Sequence, residues 1–129
     1  MLMGCFFYPR ITERRDLTMG ETFTQMLLRF MEERKITRTK LYTDACMDRK
    51  LVSKILKHKD YQPKKNTAIR LALGLRLSLE ETKTLLEAAG FALSHSIQKD
   101  CVISECIIRN QKEVWEVNRV LKARGLKDL

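Results

Sequence analysis

The 129-residue chain contains no apolar run that approaches the ~20 residues a membrane-spanning helix needs, which excludes a helical span. Its four cysteines, Cys5, Cys46, Cys101 and Cys106, form no CxxC pair and show no metal-ligand spacing. Cys101 and Cys106 stand five residues apart, which on a helix points them from different faces. No metal and no cofactor is expected. The apolar start Met1–Tyr8 lacks a basic lead and a small-residue cleavage site, so it does not read as a secretory signal. Reduced thiols in a cytoplasm are the simplest expectation.

Catalytic groupings are also missing. The two histidines, His58 and His95, have no Cys/His/Asp or Glu-x-x-His pattern around them. Glu32-Glu33 and Glu80-Glu81 fit helix-surface and cap positions better than an acid/base pair, and no glycine-rich phosphate loop occurs. An enzyme is not expected. Nor does the chain contain internal repeats, low-complexity tracts or a sustained period-two alternation that would argue for a sheet.

What the chain does have is positive charge, unevenly placed. Lys and Arg total 25 against 16 acids, a net of +9. Residues 38–70 hold ten basic residues, Arg38, Lys40, Arg49, Lys50, Lys54, Lys57, Lys59, Lys64, Lys65 and Arg70, against Asp44, Asp48 and Asp60. Most of the surplus therefore lies in one quarter of the sequence. Such a concentration favours an anionic partner, nucleic acid ahead of a membrane surface, with a solvated helix face as the bland alternative.

The hydrophobic period is helical throughout. Phe23, Met26, Leu27, Phe30 and Met31 make one stripe on a helix ending near Lys35. Thr37 caps a short second helix with Leu41 and Ala45 inward; Cys46 and Met47 make a tight connection; Asp48 caps a third helix from Arg49 to about Lys57. Its buried side is Val52, Ile55 and Leu56. Pro63 suits the first position of a fourth helix burying Ala68, Ile69, Leu71, Ala72 and Leu75. Ser78 and Glu81 form a capping box for a fifth helix that Gly90 stops. Residues 101–108 are dense in β-branched side chains and are ambiguous by propensity; a helix is preferred there. A last helix from about Lys112 to Arg124 ends at Gly125. The fold class is all-α. Residues 1–19 read as a loosely ordered leader, with Met19 an alternative start, followed by a domain over 20–90 and a helical extension over 91–129.

The segment from Ile36 to Ile55 resembles the Xre/Cro–repressor (lambda-repressor-like) type of helix-turn-helix. The matching features are Ile36-Thr37 at the start of the second helix, the small-residue turn over Asp44–Met47, the Asp48 cap, and the run Val52-Ser53-Lys54-Ile55. Pro63–Ala72 and Leu77–Glu81 are similar to that family's fourth and fifth helices, so the resemblance covers about residues 21–90 in one register. It departs at two positions: Cys46 stands where the turn usually has glycine, and Arg76 stands where glycine follows the fourth helix, Gly74 lying two residues earlier.

The resemblance implies a five-helix DNA-binding domain with a two-helix extension, in which the third helix enters the major groove. Its outer side presents Arg49, Lys50, Ser53 and Lys54 to base edges, where Arg and Lys prefer the guanine acceptors. Thr37, Arg38 and Lys40 on one flank, and Lys57, Lys59, Lys64 and Lys65 on the other, are expected at phosphates. Lys54, Lys57 and Arg70 are equally consistent with a solvent-facing role, and Tyr61 is expected to pack beneath its loop. In the extension, Trp115, Val117, Val120 and Leu121 are candidates for a homodimer interface, a family habit that matches half-sites about one DNA turn apart. Their alternative is an intramolecular core. Two function classes follow: a cytoplasmic sequence-specific regulator bound to double-stranded DNA, or an adaptor of the same fold that binds a protein partner.

Overall fold

The computed structural model describes residues 21–110 and 113–129. Among these the chain is all-helical, in the order α1 (Phe23–Glu33), α2 (Arg38–Asp44), α3 (Arg49–Lys57), α4 (Lys65–Gly74), α5 (Leu79–Ala88), α6 (Gln98–Ile108) and α7 (Val114–Ala123). The expected leader over 1–19 lies outside the described residues. The ambiguous stretch Cys101–Ile108 is helical, within α6.

Side-chain caps explain where most of these helices begin. Thr22 accepts from the Gln25 N–H while the Gln25 amide returns the bond, a reciprocal box that closes the first turn of α1. Thr37 accepts from the Lys40 N–H at 3.1 Å and Asp48 from the Lys50 N–H at 3.3 Å, starting α2 and α3 where the sequence places them. Ser78 and Glu81 repeat the box at α5. At α4 the expectation needs correcting: Pro63 is not the first helical residue. Lys64 takes the extended cap conformation, the helix starts at Lys65, and the Pro63 ring is buried just ahead of the cap.

Several helix ends share one device. At the ends of α1, α2, α4 and α5 the residue after the C-cap is left-handed and its N–H, with that of the next residue, folds back onto the last turn. Gly90 does this at no steric cost, but Lys35 (φ +54), Cys46 (φ +55) and Arg76 (φ +59) do it with a Cβ. Cys46 and Arg76 are the two positions where the resemblance expects glycine. Lys35 is exposed, so relieving its strain is a clean test. Lys35→Gly should stabilise the chain by about 1 kcal/mol, raising Tm by about 4 °C in a thermal melt; an unchanged or lower Tm contradicts the strained conformation.

All seven helices contribute to one contiguous core. Helix α4 lies at its centre, packing against α2, α5 and α7 and burying Ala68, Ile69 and Leu71–Gly74. α6 and α7 pair with each other, and α5 and α4 support them from the other side. The apolar faces of the extension, Val102, Ile103, Cys106 and Ile107 on α6 and Val114, Val117 and Leu121 on α7, thus close on the first five helices. The junction of α2 and α4 is a close approach. A Cβ on Gly74 would lie 3.1 Å from the Ala45 Cβ.

Candidate nucleic-acid interface

Helix α3 is held from both ends with one side inward. Val52, Ile55 and Leu56 are buried, and the periodicity then obliges positions 49, 50, 53, 54 and 57 to face out. Arg49, Lys50, Lys54 and Lys57 are exposed and Ser53 is half-buried; together with His58 they line one open depression on the surface. At the far end of α3 the buried Thr24 hydroxyl, reaching across from α1, shares its proton between the Ile55 carbonyl at 2.9 Å and the His58 carbonyl at 3.1 Å. Carbonyls of a helix's last turn have no partner within it, so Thr24 satisfies what α3 itself cannot.

Thr24 was not singled out from the sequence. The available signal was its place on the buried stripe of α1, three residues before Leu27 and seven before Met31. A hydroxyl there needs an acceptor. Thr24→Val, equal in shape, should cost about 1–2 kcal/mol and speed amide exchange near His58 more than elsewhere; uniform exchange across the chain would contradict a local role.

Charge along α3 is all of one sign. None of Arg49, Lys50, Lys54 and Lys57 forms an ion pair with another described residue. Several cations elsewhere are matched, Arg29 to Glu21 and Glu33, Arg34 to Glu81, Arg76 to Glu113, Arg124 to Glu105 and Lys122 to Asp128, whereas Lys35, Lys83, Arg119 and Lys127, like those of α3, pair with no carboxylate among the described residues. Arg49 and Lys50 also occupy the first turn of α3, the positive end of its dipole, where a cation is unfavourable and an acid would stabilise. Stability does not account for their placement. Lys54 is the least free of the set, its Nζ lying 5.9 Å from the centroid of the half-buried Tyr61 ring.

The flanking residues divide. Thr37 caps α2; Arg38, Lys59 and Lys64 are exposed with no carboxylate partner among the described residues. Lys40 is exposed but its Nζ lies 3.1 Å from Asp44. Lys65 departs from expectation. Its Nζ sits 2.7 Å from the buried Asp100 carboxylate, which also accepts the Ser94 N–H at 2.9 Å, so this lysine neutralises a buried acid in α6 rather than joining the outward set. Arg70 is neither solvent-facing nor directed outward. Half-buried, it donates to the main-chain oxygens of Cys46 and Leu129.

The interface candidates in the extension split likewise. Val117 and Leu121 are fully buried within this single chain and Val120 is half-buried against the same core, a placement in keeping with the alternative of an intramolecular core. The reason is that the α6–α7 pair folds back onto α4 and α5. Trp115 remains 58% exposed, with the Arg119 guanidinium 5.4 Å from its ring centroid.

Among the described residues no three His, Cys, Asp or Glu side chains converge to hold a metal, and no helix is long and apolar enough to cross a membrane. Burial pushes the Cys106 thiol above its ordinary range, aided by Glu105 nearby, which suits a packing role rather than a reactive one. Compared with known proteins, the chain matches no family model, no curated sequence and no solved structure.

Proposed function

We propose that the protein is a sequence-specific regulator that binds double-stranded DNA, with α2 and α3 acting as a helix-turn-helix of the Xre/Cro–repressor type. In this reading α3 lies in the major groove. Arg49, Lys50 and Ser53 reach base edges from its N-terminal half, with Lys54 beside them, while Thr37, Arg38, Lys57, Lys59 and Lys64 hold phosphates on either side. The observation that carries it is the outer side of α3, four exposed cations without a carboxylate partner among the described residues, on a helix whose dipole disfavours two of them.

The test is a duplex titration across a range of salt concentrations. Phosphate neutralisation releases counterions, so log K should fall linearly with log salt, with a slope of about −0.9 for each phosphate contacted. Replacing Lys57, Lys59 or Lys64 singly by alanine should reduce that slope by about one and weaken all sequences alike. A flat salt response overturns the reading.

The exposed Trp115 favours a second reading, an adaptor that uses the fold to bind a protein. Trp115→Ala separates the two. It should leave duplex binding intact under the first and abolish partner capture under the second.

A further inference from the structure

The turn from α2 to α3 contains one left-handed residue. Cys46, at φ +55, donates its N–H to the Thr43 carbonyl at 3.2 Å, and Met47 donates to Tyr42 at 2.9 Å, which closes α2. Those bonds occupy the N–H groups of the turn. The Cys46 carbonyl is taken by a different element: the Arg70 guanidinium, from the middle of α4, donates to it at 3.4 Å. With its other terminal nitrogen, Arg70 donates to the main-chain oxygen of Leu129. Leu129 in turn is seated by two contacts, its side chain buried in the core and its N–H donating to the Asn118 side-chain oxygen of α7 at 2.8 Å. One planar fork therefore touches both the strained turn and the returning segment 126–129.

We infer that Arg70 is a positioning residue, which fixes the left-handed Cys46 turn, and with it the direction of α3, by tying that turn to segment 126–129 held on α7. The requirement is for two donors held in a fixed relation. A guanidinium presents its donors in a rigid plane, and its two terminal nitrogens reach two separate main-chain oxygens, whereas the three donors of a lysine all radiate from one nitrogen. The extension beyond α5 then has a role in addition to covering apolar surface: it supplies the anchor against which the turn is braced. The consequence for DNA affinity rests on the function proposed above; the bracing itself does not.

The test uses the full chain and two variants, Arg70→Lys and Asn118→Ala. Cys46 and Cys101 are both exposed, so the rate of maleimide labelling at Cys46 relative to Cys101, read by peptide mass spectrometry, reports the turn with an internal reference. Amide exchange at Cys46 and Met47 reports the same turn independently. For Arg70→Lys the labelling ratio should rise and both amides should exchange about tenfold faster, the scale of one hydrogen bond from a charged donor. Asn118→Ala alters α7 without touching the turn, yet should shift both readouts in the same direction.

Unchanged Cys46 labelling and exchange in either folded variant overturns the inference. In the DNA arm, Arg70→Lys should weaken duplex binding without changing the salt slope, because no phosphate contact is removed. Wild-type slope with wild-type affinity, or a slope reduced by about one in an otherwise comparable variant Arg70→Gln, overturns it as well. If the wild-type protein binds no duplex, the function fails while the thiol and exchange results still decide the role of Arg70.

Discussion

The double variant Arg49→Ala/Lys50→Ala should lose sequence-specific DNA binding while keeping its fold. Each cation is assigned to a base edge, and one good contact of that kind discriminates by about 2 kcal/mol, so the pair should lower affinity for the preferred duplex about a thousandfold. Fluorescence anisotropy on a duplex retained from a genome-fragment pull-down measures this directly. The fold side of the prediction has the opposite sign. Both residues sit in the first turn of α3, where the helix dipole repels them, so their removal should raise stability by a few tenths of a kcal/mol, about 1 °C in Tm. Lost binding together with an equal or higher Tm is a result that unfolding cannot produce. Unchanged affinity in the double variant rejects α3 as the reading element, whatever the net charge of the chain.

Local chemistry made much of the fold legible from the sequence. Thr37, Asp48 and Ser78 are short polar side chains set immediately before an apolar period, and each caps the helix expected of it. Val52, Ile55 and Leu56 are inward because a 3.6-residue period leaves them no other face. Even the turn without glycine is legible at Cys46, because its neighbours specify the two helices it joins.

The candidate site was legible only in part, and the reason lies in sequence distance. Counting charge over residues 38–70 cannot distinguish a free cation from a paired one. Lys65 finds Asp100 and Arg70 finds Leu129, partners 35 and 59 positions away. Both lie in α4, and both partners lie in the extension. A charge count therefore overstated the outward set by those residues whose partners arrive only when the chain folds back. Thr24 escaped notice for the same reason, since its acceptors are 31 and 34 positions away. Val117 and Leu121, expected either at a second subunit or in an intramolecular core, are buried within the single chain; their apolar faces suit either, and the α6–α7 pairing turns them inward.

The contact of α2 with α4 should be the least forgiving position in the molecule. Gly74 closes α4, where by intrinsic preference almost any other residue would serve better, by about 1 kcal/mol for alanine. A Cβ there would meet the Ala45 Cβ at 3.1 Å, the Ala45 nitrogen at 3.2 Å and a Leu41 methyl at 3.3 Å. Gly74→Ala asks α2 to retreat by a few tenths of an ångström, and the helix-propensity gain should leave it close to neutral in a thermal melt. Gly74→Leu leaves no such balance. Its branched carbons must enter space held by Leu41 and Ala45, both fully buried, at a cost of about 3 kcal/mol and about 10 °C in Tm. The damage should also be directional, since α2 carries the Cys46 turn and the turn carries α3. At a temperature where Gly74→Leu is still folded, its duplex affinity should fall further than that of a core variant remote from α2, such as Ile103→Val on α6. Equal affinity in the two would mean that α3 keeps its aim when α2 is displaced, and that the turn between them transmits nothing.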